Sequence, residues 1–133
     1  MNHKLRIGAL AACVALLSGC GQRPDTGGTP GILTYHGKLP SDICVTVHRV
    51  EGSATEPIGF GVTANDGTFH LVTNAARGPL RLSPGEYRCT LESAGSPIRI
   101  SKEYTKANST PLKISWSADD TSLDLDVPAA STQ

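Results

Sequence analysis

The chain has 133 residues with twelve Lys and Arg against twelve Asp and Glu, a length that fits one domain and leaves no room for two cores. Arg49, Arg77, Arg81, Arg88, Arg99 and Lys113 are scattered singly, which excludes the clustered basic face that a nucleic-acid binder uses to displace counterions from phosphates. Fourteen Gly and nine Pro interrupt helical hydrogen bonding, and abundant Thr, Ser and Val favour strands, so the composition predicts an all-β domain.

Lys4 and Arg6 give residues 1–6 a positive charge, and Ile7 to Leu17 is an apolar run of eleven residues. That run is far short of the roughly 20 residues of a membrane-spanning helix but right for the apolar part of an export signal. It ends in Leu17-Ser18-Gly19-Cys20, which resembles the lipobox of bacterial lipoproteins at all four positions. The resemblance implies removal of a 1–19 signal peptide between Gly19 and Cys20. It also implies a thioether-linked diacylglycerol on Cys20 and acylation, by palmitate or a similar chain, of the new amino group. Several acyl chains anchor stably where one does not. The other reading is an ordinary secretory signal with Cys20 left as a plain thiol. The mature chain would keep ten basic and twelve acidic side chains, a net charge of −2. Gly21 is not the Asp that holds many enterobacterial lipoproteins at the inner membrane, which points to an outer membrane.

Residues 20–31 read as the lipidated cysteine and a flexible tether, because Gln22 to Gly31 offers no side chain large enough for a core. From residue 32 to 128, short apolar or alternating runs alternate with turn signals. Ile32 to His36 is a first strand. Ile43 to Val50 alternates cleanly, with Ile43, Val45 and Val47 on one face and Cys44, Thr46 and His48 on the other. Ile58 to Thr63 and Thr68 to Val72 flank Ala64-Asn65-Asp66-Gly67, whose Asp-Gly suits a tight hairpin. Leu80 to Leu82 leads into Ser83-Pro84-Gly85, and further strands are predicted at Glu86 to Ser93, Ile98 to Ile100, Leu112 to Trp116 and Ser122 to Val127. In the last, Leu123, Leu125 and Val127 face inward and Asp124 and Asp126 outward. Seven or eight strands result, and 129–133 reads as a disordered tail.

Gly-Ile-Leu-Thr-Tyr-His-Gly-Lys-Leu-Pro at 31–40, Asn-Asp-Gly-Thr-Phe at 65–69, Leu-Ser-Pro-Gly-Glu-Tyr at 82–87 and Ser-Leu-Asp-Leu-Asp-Val at 122–127 form an ordered series. In order and spacing it resembles the transthyretin-like, or carboxypeptidase-regulatory-like, domains, especially the small planctomycete-type lipoproteins. The family's aliphatic-Thr-Gly-Lys-Val start is only partly present. The resemblance implies a seven- to eight-stranded Greek-key β-sandwich of the prealbumin type and no particular activity. Tyr87, two residues before Cys89, also resembles the tyrosine corner of immunoglobulin domains, but Trp116 follows both Cys44 and Cys89 instead of lying between them.

Once the leader takes Cys13 and the lipid takes Cys20, Cys44 and Cys89 remain, and two spare thiols in an exported chain make a disulfide candidate. Such a bridge would add about 4 kcal/mol on the chain-entropy model. Two unpaired buried cysteines are the alternative. His36, His48 and His70 show no spacing that brings two imidazoles to one metal. Asp119-Asp120, Asp124 with Asp126, and Asn65-Asp66 are explained by turns and edge protection before calcium is invoked. Asn108-Ser109-Thr110 matches a glycosylation sequon, which a bacterial lipoprotein would not normally present to the enzyme that reads it. No nucleophile elbow, His-Glu-x-x-His or phosphate loop occurs, so no catalytic, metal or cofactor residue is assigned.

The expected function is therefore a non-enzymatic lipoprotein, held to membrane lipid through the acylated Cys20 on the periplasmic or cell-surface side. There it would make structural or adhesive contacts with an envelope protein or glycan. The alternative is an envelope protein that binds a small molecule or carbohydrate near Trp116 and Tyr104, an idea that weakens if Trp116 is buried.

Overall fold

A computed structural model describes residues 27–129. The proposed signal peptide, the cleavage site at Gly19 and Cys20, and the end of the tail lie outside the described residues. The domain is all-β, with eight strands and no α-helix among the described residues. The strands are β1 Pro30–Tyr35, β2 Ile43–Glu51, β3 Ala54–Val62, β4 Thr68–His70, β5 Val72–Thr73, β6 Gly85–Ser93, β7 Lys113–Trp116 and β8 Leu123–Val127. They form a three-stranded sheet in the order β4-β1-β8 and a five-stranded sheet in the order β5-β3-β2-β6-β7. All pairings are antiparallel except β1 with β8, which run parallel from Gly31↔Leu123 to Tyr35↔Val127.

Period-two alternation builds both inner faces. Ile43, Val45 and Val47 are fully buried, which settles which face of β2 is the core. Tyr87, Cys89 and Leu91 of β6, and Leu123, Leu125 and Val127 of β8, join them with Leu33 and Tyr35 of β1 in a single cluster. Asp124 and Asp126 point outward.

Several elements differ from the sequence-based expectation. The Ala64–Gly67 turn forms, with the Gly67 amide donating to the Ala64 carbonyl (2.9 Å) and Gly67 at φ 80°. It joins no hairpin, however: β3 belongs to the five-stranded sheet and β4 to the three-stranded one. The tight hairpin is instead β2 to β3, closed by Gly52-Ser53 between the paired Glu51 and Ala54, with Gly52 at φ 63°. Positive φ at the first central position is what a type II′ turn requires. β3 consequently starts at Ala54 and carries Pro57, tolerated beside a register shift between Val47 and His48 where β3 has no strand on its other side.

The predicted strand Thr68 to Val72 breaks at the fully buried Leu71, where the chain crosses from one sheet to the other as β4 and β5. Gly59 and Gly61 on the inner side of β3 make room for that crossing. A Cβ at Gly61 would lie 2.8 Å from the His70 carbonyl oxygen, and one at Gly59 would collide with the Val72 carbonyl.

Leu80 to Leu82 is not a strand. It is a strap bonded to Thr29, whose amide donates to the Leu80 carbonyl (2.8 Å) and whose hydroxyl accepts from the Leu82 amide (2.9 Å). Residues 28–31 accordingly belong to the domain and not to a tether. Gly28, Thr29 and Gly31 are buried, and Gly31 packs so closely that a Cβ would sit 2.5 Å from the Leu123 carbonyl oxygen. These glycines serve close packing, not freedom.

Ile98 to Ile100 is likewise no strand, although both isoleucines pack on the core. The loop is held by Tyr35, whose hydroxyl donates to the Arg99 carbonyl (3.1 Å) and accepts from the Ser101 amide (3.1 Å). A short 3₁₀ helix, Lys102–Thr105, follows and buries Tyr104.

Candidate functional site

β2 and β6 carry the two candidate disulfide cysteines, and their register keeps the thiols apart. Cys89 lies opposite Val47, on the inner face, whereas Cys44 lies opposite Glu92, on the outer face and three positions along β2. That offset is about 10 Å of strand, and the side chains leave the sheet in opposite directions. Both cysteines are free, so the expected Cys44–Cys89 bridge is replaced by two unpaired thiols. Burial pushes the Cys89 thiol up to about 12. The half-buried Cys44 is raised as well, by burial first and the nearby Glu92 carboxylate in addition, against a lowering contact with the Thr46 hydroxyl.

The three histidines among the described residues are dispersed. His36 leaves β1 at φ 54° and stacks on Tyr35 with ring centroids 4.2 Å apart. His70 is exposed at the end of β4. His48 stands on the outer face of β2, its Nε2 3.0 Å from the Thr90 hydroxyl, and burial lowers its pKa. Thr90 is only 8% exposed, so this pair fastens β2 to β6.

Asp66, Asp120 and Asp124 each accept from a residue two or three positions away. Asp66 accepts from the Thr68 hydroxyl (2.6 Å) and amide (3.1 Å), which hold its carboxyl below the usual range. Asp120 accepts from the Ser117 amide (2.7 Å) and Asp124 from the Ser122 hydroxyl (2.6 Å). Among the described residues no three His, Cys, Asp or Glu side chains gather to hold a metal ion.

The two aromatic residues considered for ligand stacking are separated and buried. Trp116 is 8% exposed and Tyr104 9%. Trp116 lies at the Pro30 end of β1, in the wall of a cavity of about 260 Å³ shared with Gly27, Arg81, Leu82 and Asp120. Arg81 reaches across that end to donate from Nε to the Gly27 carbonyl (2.8 Å). Tyr104 lies at the opposite end, beyond the Tyr35 hydroxyl, its own phenol raised by burial and then by Glu103. No continuous aromatic platform is assembled.

Tyr87 does make the contact its position suggested. Its hydroxyl donates to the carbonyl of Ser83, four residues upstream (2.6 Å), and closes the turn into β6. The outer face of the five-stranded sheet was not visible as a feature of the sequence. In Ile-Gly-Phe-Gly-Val the glycines turn inward, leaving Phe60 half-buried and Val62 44% exposed on the outside. The alternation was present, but nothing local says which half faces solvent.

No helix among the described residues is long and apolar enough to cross a membrane. No protein-family model, curated protein or solved structure matches this chain.

Proposed function

We propose that the protein is a lipid-anchored component of the bacterial cell envelope, and that its two-sheet domain acts by contact and not by catalysis. The observation that carries the reading is Leu17-Ser18-Gly19-Cys20, placed after a short basic segment and an eleven-residue apolar run. Gly27, where the described domain begins, is only seven positions beyond Cys20. Seven residues reach at most about 25 Å. A diacylglycerol on Cys20 therefore keeps the end bearing Gly27, Arg81 and the 117–122 loop near the bilayer. The opposite end, with the 36–42, 63–67 and 94–101 segments, is free to meet an envelope protein or glycan.

Within this proposal the fold is a Greek-key sandwich of the transthyretin type. Support comes from the sheet order β4-β1-β8 over β5-β3-β2-β6-β7, in which the chain changes sheets after β1, β3, β4 and β7. The buried Tyr35 and Tyr87 fix loops on that frame.

The test is the intact mass of the native protein extracted from membranes. A mass equal to residues 20–133 plus acyl groups is expected. A soluble product without lipid overturns the anchor.

A second reading, a small-molecule or carbohydrate site, is weakened by the burial of Trp116, which is 8% exposed, and rests on the cavity that Arg81, Asp120 and Trp116 line. It predicts saccharide-dependent quenching of the single tryptophan, and unchanged fluorescence across a panel of sugars removes it.

A further inference from the structure

The middle of the outer face of the five-stranded sheet carries three rows of side chains across the strands, with Glu86 and Ser115 beyond them. Val62, Cys44 and Glu92 form the first. Val72, Phe60, Thr46 and Thr90 form the second. Pro57, His48, Arg88 and Lys113 form the third. Phe60, Val62 and Val72 lie outside the core cluster, so the β5-β3 half of the face is an apolar stripe. Glu92 and Arg88 stand on β6, on either side of the middle row. Contiguous apolar surface rimmed by charge marks an interaction site more often than chance exposure does.

We infer that this face is the interface of a homodimer whose two-fold axis runs across the strands along the Phe60-Thr46-Thr90 row. The inference follows from what that one operation does to the rows. It lays β3 on β3 and β6 on β6 and exchanges the first row with the third. Glu92 then faces Arg88 of the second copy, and Arg88 faces Glu92, giving two equivalent opposite-charge contacts. Phe60 meets Phe60 and Thr46 meets Thr46 on the axis, and Val62 covers Pro57. Cys44 comes over His48. Glu92 and Arg88 each find their opposite and the apolar stripe finds itself, which is the self-complementarity an isologous contact requires, while Glu86, farther from the axis on the same face, is engaged within its own chain by the Ser115 hydroxyl (2.7 Å). Arg88 gives one N–H to the Ala107 carbonyl (3.1 Å) and keeps its other donors for a carboxylate. The arrangement matches aligned sheet-on-sheet packing, with sheets about 10 Å apart and strand directions within about 30°. The charge pattern fits a second copy, since the two-fold supplies both charges of each contact from one sequence.

The test uses the full chain in detergent micelles. In a Cys44→Ala background, Thr46→Cys is oxidised with copper phenanthroline and dioxygen, which takes up the two electrons and two protons released as the disulfide forms. A covalent dimer is expected well above the level of the background protein. Ser115→Cys, on the same face but far from the axis, stays at that background level. By light scattering the parent chain is dimeric. Glu92→Arg or Arg88→Glu raises the dissociation constant by about tenfold or more, because like charges then face each other. The double exchange restores the dimer. Monomer mass up to about 100 µM overturns the inference. So does Thr46→Cys cross-linking no better than Ser115→Cys, or a double exchange that fails to recover.

Discussion

Tyr35→Phe removes one oxygen and keeps the ring that fills the core. The Tyr35 hydroxyl bonds two main-chain groups of the 96–101 loop, the Arg99 carbonyl and the Ser101 amide, each at 3.1 Å. A partly buried hydrogen bond contributes about 0.5–1.5 kcal/mol net, so losing two costs about 1–3 kcal/mol. For roughly 100 ordered residues that lowers Tm by about 5–20 °C. Tyr87→Phe is the internal reference, since its hydroxyl makes one main-chain bond, to the Ser83 carbonyl (2.6 Å), beside a longer contact with the Ser83 hydroxyl (3.4 Å), and should cost less. Urea unfolding followed through the fluorescence of Trp116, which is buried in the fold, reads both variants. Hydrogen exchange at the Ser101 amide should quicken in Tyr35→Phe alone. A loss below about 0.5 kcal/mol, or no larger than that of Tyr87→Phe, would refute the assignment of Tyr35 as the fastening of this loop.

Gly59→Ala puts a methyl against the Val72 carbonyl and the Leu80 side chain, and should cost about 1–3 kcal/mol. Gly78→Ala, with nothing within 4 Å, should stay within about 0.5 kcal/mol by the same denaturant titration. Alkylation at pH 8 followed by peptide mapping should label Cys44 slowly and leave Cys89 unmodified until the protein is unfolded; equal labelling would contradict the opposite-face placement. The Cys89 thiol titrates near 12 in the fold against 9.0 when exposed. The unfolded chain therefore loses a proton that the native one keeps, and stability should decline as pH rises above about 9, less so in Cys89→Ala. His48 has the opposite sense: its folded pKa lies below 6.5. The unfolded chain takes the proton first, and stability should fall as pH drops below about 6.5, with His48→Gln flattening that limb of the thermal-unfolding profile.

The elements legible in the sequence are those whose pattern is both local and two-sided. Leu123, Leu125 and Val127 against Asp124 and Asp126 could be read in one way only, and the structure follows it. Asp66-Gly67 demanded a positive φ, but that demand is the same at a hairpin and at a corner between sheets, so the turn was foreseen and its connectivity was not. Ile98 and Ile100 have strand spacing, yet their segment is a loop held by a tyrosine 64 positions away from Arg99, a constraint no window contains. The fate of Cys44 and Cys89 depended on register: an offset of three places two thiols on opposite faces, and only the Val47↔Cys89 pairing reveals the offset. Phe60 and Val62 gave no sign of their outward placement, since apolar alternation marks a face without saying whether it is buried or exposed.

The parallel pairing of β1 with β8 joins Gly31 to Leu123, 92 positions later. A chain emerging amino-terminus first holds β1 with only β4 to lean on until the last strand has left the ribosome. Long-range closure of this kind is slow compared with helix or hairpin formation. It also makes the final strand a check on completeness. A product cut before Leu123 retains seven of the eight strands but leaves one edge of β1 open and the core unroofed along Leu33 and Tyr35. Such fragments would present themselves to proteases as unfinished, so the chains that persist are those that carry β8.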